Sequence, residues 1–129
     1  MKSVDTNVLV RILIDDDKQM EQTKLARQFA KKAQQLFISQ IVQVELVWVL
    51  ESAYHLDKND IAHILQCLQK NEAFVLQNEN EFSEALHLYQ INNVDFSDCL
   101  IFFESQKEKC EVVTFDKKFS RLEKVSCLI

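Results

Sequence analysis

Apolar positions along the chain switch between short runs and a helical spacing, and the switches mark the elements. "KSVD" is a short run closed by a polar break and suits a buried strand, and "TNVLVRIL" follows as the start of a helix. "EQTKLARQFAKKAQQ" predicts a second helix, with Leu25, Phe29 and Ala33 on one face. "LFIS" reads as a second strand leading into the helix "QIVQVELVWVLESAY". In "NDIAHILQCLQK" the stripe Ile61, Ile64, Leu65 and Leu68 predicts another helix, and "FVL" at 74 to 76 a third strand. "ENEFSEALHLYQI" is helical with Phe82, Leu86 and Tyr89 in phase, and "SDCLIFFESQKEK" follows as a further helix. "EVVTF" then reads as a fourth strand, "DKKFSRL" as a short helix and "VSCLI" as a last strand. Strands alternating with helices over short connections predict an α/β fold. Its core is a central, mostly parallel sheet of four to five strands, covered on both faces in a three-layer α/β/α arrangement.

Composition narrows the picture. A chain of 129 residues with no linker, repeat or low-complexity segment suits one domain, 1–129, with 47% apolar and 27% charged residues. No apolar run reaches the roughly 18 residues of a membrane span, and "MKSVDTN" lacks the apolar stretch of a signal peptide, which points to the cytoplasm. Cys67, Cys99, Cys110 and Cys127 form no C-x-x-C pair and read as buried free thiols. His55, His63 and His87 form no metal-binding spacing.

The chain contains no glycine and no proline. Phosphate-cradling loops and dinucleotide fingerprints require glycine where the backbone turns against phosphate, so both are excluded. Acids exceed bases by 20 to 15, for a net charge of −5, and phosphate chemistry on such a protein would run through metal ions.

Four acids occupy suggestive positions. Asp5 ends the first strand and Asp116 the fourth, each where a helix begins, and open α/β sheets bind ligands at that edge. If strands one and four are neighbours at the point where strand order reverses, the two acids converge. Glu45 is the only charged residue in "IVQVELVWVL", where burial would demand a metal or donor. Asp98 starts the strongly apolar helix of "VDFSDCLIFF". Each also has a simpler reading: Asp is a preferred helix N-cap, and Glu45 could face solvent.

"VDTNVLVRIL", "ISQIVQVELVWVL", "VDFSDCLIFF" and "VVTFDKKF", in this order and at these separations, resemble the PIN domain family, above all the VapC-type toxin ribonucleases. The resemblance spans essentially the whole chain. It implies a metal-dependent endoribonuclease in which Asp5, Glu45, Asp98 and Asp116 bind Mg²⁺ or Mn²⁺ and cleave RNA, leaving 5′-phosphate and 3′-hydroxyl ends. Thr114 matches a recurrent hydroxyl position, and Asn7 falls within the first motif. Asp95, acidic in many relatives, could equally cap the helix that carries Asp98. Loops of relatives commonly carry glycine and proline, which this chain lacks.

Clustered carboxylates without thiolate or imidazole favour hard cations over zinc. Arg11, Lys117, Lys118 and Arg121 are candidates for a phosphate-contacting rim, or else solvated surface charges. The resemblance further implies an antitoxin partner whose apolar segment enters a groove near Asp5 and Glu45, and a homodimer. The surplus of apolar residues at Trp48, Tyr54, Leu56, Ile61 and Leu65 would supply the dimer interface. Two other readings stay open: a non-catalytic interaction protein of the same fold, and an Asp-based phosphoacceptor or phosphatase. The second is weakened because "DTN" lacks a second Asp two residues after the first.

Overall fold

In the computed structural model, which describes Met1–Ile129, the chain forms two units, Met1–Gln77 and Asn78–Ile129. The first runs β1 (Lys2–Ser3), α1 (Thr6–Leu13), a 3₁₀ turn (Asp17–Gln19), α2 (Met20–Ala33), β2 (Leu36–Ile38), α3 (Gln40–Ser52), α4 (Lys58–Lys70) and β3 (Phe74–Leu76). The second runs α5 (Glu79–Ile91), α6 (Phe96–Lys107), β4 (Val112–Thr114), a 3₁₀ turn (Phe119–Arg121) and β5 (Val125–Cys127). No helix is long and apolar enough to cross a membrane.

All five expected strands form and all pair in parallel. Their ladders are two. β2 is central to β1–β2–β3, with Leu36 opposite both Lys2 and Phe74, whereas β4 pairs with β5 from Val112↔Val125 to Thr114↔Cys127. Strands one and four therefore belong to different ladders, and the juxtaposition considered from sequence is not one of backbone pairing. β1 is also shorter and more exposed than the buried strand expected. It is an edge, with Lys2 and Ser3 open to solvent, and burial begins at Val4.

In the first unit Leu36 and Ile38 of β2 are buried together with Leu46 and Leu50 of α3 and Ile61, Leu65 and Leu68 of α4. Burying each such side chain contributes roughly 1.5–3 kcal/mol. Ile61 and Leu65 are thus core residues, not the dimer surface the sequence suggested. Of that set only Trp48 is well exposed, while Tyr54 and Leu56 are half-buried. The Leu25–Phe29–Ala33 face of α2 is not in the core either: Leu25 is 62% exposed, and α2 buries Thr23 and Ala26 instead. In the second unit Phe96 meets Phe82 and Tyr89 edge-on, with ring centres 5.7 and 5.8 Å away, fixing α6 against α5.

The four cysteines are free, but only Cys99 is buried. Cys67 stands on α4 opposite its buried stripe, and Cys110 in the turn after α6; both are exposed, correcting the expectation of four buried thiols.

Without glycine, left-handed turns fall to other residues: Gln34, His55, Asn78, Lys109 and Lys124 all have positive φ. Gln34 is the most constrained, at φ 67° and ψ −49°, with the Gln35 amide donating to the Ala33 carbonyl at 2.8 Å. That is the rare, strained kind of γ-turn. Relief of this strain outweighs the roughly 0.5–1 kcal/mol of extra chain entropy that glycine loses on folding. Gln34→Gly is therefore expected to stabilise the protein by up to about 1 kcal/mol, raising Tm by roughly 2–4 °C in thermal unfolding, whereas Gln34→Val should lower it.

Candidate active site

Asp5 stands two residues beyond β1 and is the N-cap of α1, its Oδ1 accepting a hydrogen bond from the Val8 amide at 3.0 Å. The capping reading and the chemical one are compatible, because the cap occupies one oxygen and leaves Oδ2 without a protein partner. Thr6, the next residue, donates from Oγ1 to Glu45 Oε1 at 2.7 Å and ties α1 to α3. Thr6 escaped the sequence reading. Its only signal was a hydroxyl beside Asp5 in the first turn of a helix.

Glu45 is exposed, which corrects the expectation of a buried carboxylate. Its window is apolar on two sides for two reasons. Val42, Leu46, Val47 and Leu50 face the core, while Ile41 and Trp48 are apolar yet face solvent on the same side as Glu45. The orientation of α3 is set by Gln43, fully buried, whose Nε2 donates to the carbonyls of Ile38 at 3.2 Å and Gln77 at 3.0 Å. Gln77 completes the joint by accepting the Gln40 amide at its Oε1 and donating its own amide to Ile38. The carboxyl ends of β2 and β3 and the start of α3 are thereby laced together.

A cleft of about 610 Å³ opens beside Asp5, lined by Asn7, Val8 and Arg11 of α1 and Leu25 and Phe29 of α2. The apolar face of α2 that the core does not use is its wall. Arg11 is held across it, Nε donating to Gln22 at 3.0 Å and Nη1 to the Tyr54 hydroxyl at 2.9 Å. Tyr54 in turn donates to Asp16 Oδ2 at 2.8 Å. The Tyr54 hydroxyl, with the Lys18 amide, holds the Asp16 carboxyl below its ordinary value, and burial followed by the Asp16 bond pushes Tyr54 up. Tyr54 is therefore an internal strut.

In the second unit Asp95 is the N-cap residue of α6 by position, but its side chain makes no capping bond. Asp98 lies in the first turn, half-buried and without a hydrogen-bond donor. Burial, then the charges of Asp95 and Asp116, push its pKa up. Asp116 follows β4, and its Oδ1 accepts the amides of Lys118 at 2.8 Å and Phe119 at 3.2 Å. Thr114 fixes the same turn by accepting the Asp116 amide at Oγ1, 3.0 Å away. Lys117, Lys118 and Arg121 are exposed and form no ion pair.

Thr6 and Glu45 are thus joined in the first unit, and Asp95, Asp98 and Asp116 interact in the second. No three His, Cys, Asp or Glu side chains are gathered into a ready metal cage. The donor chemistry nevertheless fits a hard cation, since Mg²⁺ is usually held by one or two carboxylates, waters and substrate phosphate.

Asp98 and Asp116 differ in what they give the fold. A carboxyl with a raised folded pKa is protonated more readily in the native state than in the unfolded chain. Its cost to stability grows as pH climbs from the ordinary Asp value through the raised one, and is fully present above. Asp98→Asn is expected to raise Tm in metal-free buffer near neutral pH, with the gain fading below about pH 4. Asp116→Ala removes two backbone caps and should lower stability by about 1 kcal/mol. Thermal unfolding of both variants across pH checks the pair, and a destabilised Asp98→Asn at neutral pH would contradict it.

Comparison with known proteins identifies the family. The sequence model of the PIN domain matches residues 2–125, a span that contains Asp5, Glu45, Asp98 and Asp116. The VapC ribonuclease of Aquifex aeolicus (strain VF5) is 30% identical over 124 residues, covering 95% of this chain and 92% of that protein. With parallel strands delivering acids to helix starts and a match running through both units, the chain belongs to the PIN domain family.

Proposed function

We propose that this chain is a metal-dependent endoribonuclease of the VapC kind, the cytoplasmic toxin of a toxin–antitoxin pair, acting through Asp5, Glu45, Asp98 and Asp116. The observation that carries the reading is Asp98. A half-buried carboxylate with no hydrogen-bond donor, beside two further acids, is held against ionisation by its burial and by their charges. Groups perturbed in this way concentrate at functional sites.

The remaining acids are arranged to present an oxygen. Asp5 and Asp116 each spend Oδ1 on backbone amides, which fixes the direction of Oδ2. Thr6 fixes Glu45 by one oxygen and leaves the other open, and Thr114 fixes the backbone beneath Asp116. Asp5, Glu45, Asp98 and Asp116 would hold Mg²⁺ or Mn²⁺, which when bound supplies positive charge to the phosphoryl oxygens and acidifies a water. Asn7, beside Asp5 on the cleft, would orient substrate, as Asp95 would orient Asp98. Lys117 and Lys118, exposed and unpaired, would meet RNA phosphates in a protein whose net charge of −5 otherwise repels them. Arg11 is less free, since Gln22 and Tyr54 take two of its donors. The cleft beside Asp5, walled by Leu25 and Phe29, suits the apolar segment of an antitoxin. Association as a homodimer is part of the same reading.

Asp5→Asn and Asp98→Asn are each expected to cut RNA cleavage at least about a hundredfold, with circular dichroism unchanged. Asp98→Asn should do so while becoming more stable, which separates loss of chemistry from loss of fold. Mg²⁺ or Mn²⁺ should restore activity to chelator-treated parent protein and raise its Tm, with a smaller shift in Asp98→Asn. Full activity in either variant, measured on protein free of contaminating nuclease, would remove these residues from the site.

A further inference from the structure

α3 carries an exposed stripe of which the catalytic reading uses Glu45 alone. Ile41, Glu45 and Trp48 follow one another at i, i+4 and i+7, all on the solvent side, with Ile41 72% and Trp48 66% exposed. An indole left that open is unusual, because a tryptophan is ordinarily among the most deeply buried side chains by area. No aromatic partner covers it, and it packs against no cation. Trp48 is one turn from Glu45, so their Cβ atoms are about 5–6 Å apart. Helical side chains tilt toward the N-terminus, which for Trp48 is the turn bearing Glu45.

We propose that Trp48 is a stacking platform for one base of single-stranded RNA, which it holds one helical turn from Glu45; the proposal rests on the ribonuclease reading and names how the substrate is gripped. Stacking suits this protein. With a net charge of −5 the chain attracts phosphates weakly, whereas an aromatic face binds any base through its π surface and is indifferent to charge. A single indole matches the size of one base, and a base stacked there lies over the turn that carries Glu45. A second copy of the chain fits the stripe less well. The apolar surface amounts to Ile41, Trp48 and the half-buried Val44, with the Glu45 carboxylate among them, small beside the roughly 800 Å² per partner of a stable interface. The residues that would have enlarged it, Ile61 and Leu65, are buried in the core. A like copy would also bring Glu45 and its neighbours against apolar surface or against one another.

Trp48 is the only tryptophan, so its fluorescence reports this position alone. The experiment titrates the full chain, in chelator so that no cleavage occurs, with a short labelled single-stranded RNA, reading tryptophan emission and label anisotropy together. The expected result is saturable quenching whose midpoint coincides with the anisotropy curve. Duplex RNA of the same sequence should quench little. Trp48→Ala should weaken binding about tenfold or more, and Trp48→Phe should recover most of it. In metal-replete assays the same substitution should raise KM more than it lowers kcat. RNA that binds and is cut while emission stays unchanged would overturn the stacking role and leave the ribonuclease reading standing. Emission that shifts with protein concentration in the absence of RNA, with scattering mass doubling, would assign Trp48 to a homodimer and overturn it as well. Failure of the parent protein to bind or cut any RNA would remove the ribonuclease reading and this proposal together.

Discussion

β1, β2 and β3 each hand the backbone to a helix at their carboxyl ends, and β4 to a 3₁₀ turn, all without glycine or proline. That constraint shapes much of the molecule. The amides of a helix's first turn have no partner within the helix, so something must accept them. Here the acceptor is a side chain: Asp5 for α1, Ser39 for α3, Asp57 for α4 and Asp116 for the turn after β4. Each cap is worth about 1 kcal/mol, enough to fix the direction of the chain where it leaves the sheet. The use of aspartate at the joints after β1 and β4 has a second effect. A carboxylate has two oxygens, and a cap that occupies one of them delivers the other in a fixed orientation.

The remaining polar contacts of the first unit serve the same end. Gln43 and Gln77 hold the ends of β2 and β3 to the start of α3, and a buried carbonyl deprived of its donor there would cost about 1–3 kcal/mol. Because α3 is anchored on its inner side, its outer side can present Glu45 to Thr6 and leave Ile41 and Trp48 to solvent. The Arg11–Tyr54–Asp16 chain joins the last turn of α1 to the residues just beyond α3 and to the loop before α2. It braces one wall of the cleft in which Asp5 and Asn7 stand.

Asp98 differs from the capping acids in having no donor. The aromatic packing of Phe82, Tyr89 and Phe96 fixes the start of α6 firmly, and that rigidity allows an unpaired carboxylate to persist beside Asp95 and Asp116. A looser helix would turn the group to water. Carboxylates held close together need such a frame because mutual repulsion would otherwise scatter them.

Much of the architecture was legible in the chain itself. Short apolar runs and helical spacing placed the six helices and five strands to within a few residues, because burial of one face leaves its period in the sequence. The order of the four acid-bearing segments pointed to the family: Asp5 and Asp116 follow strands β1 and β4, Glu45 lies on the helix after β2, and Asp98 on the helix before β4. What periodicity could not decide was which apolar face goes inward when an element has more than one. Leu25 and Phe29 line a cleft, Trp48 faces water, Ile61 and Leu65 fill the core, and Glu45 is exposed within an apolar window. Nor could it foresee Thr6, Gln77 or Tyr54 as partners, for their hydrogen bonds join residues 34 to 43 positions apart. The local pattern records only that a side chain is apolar or polar; the neighbour it meets is fixed by how separate elements pack, and that is set by the tertiary structure alone.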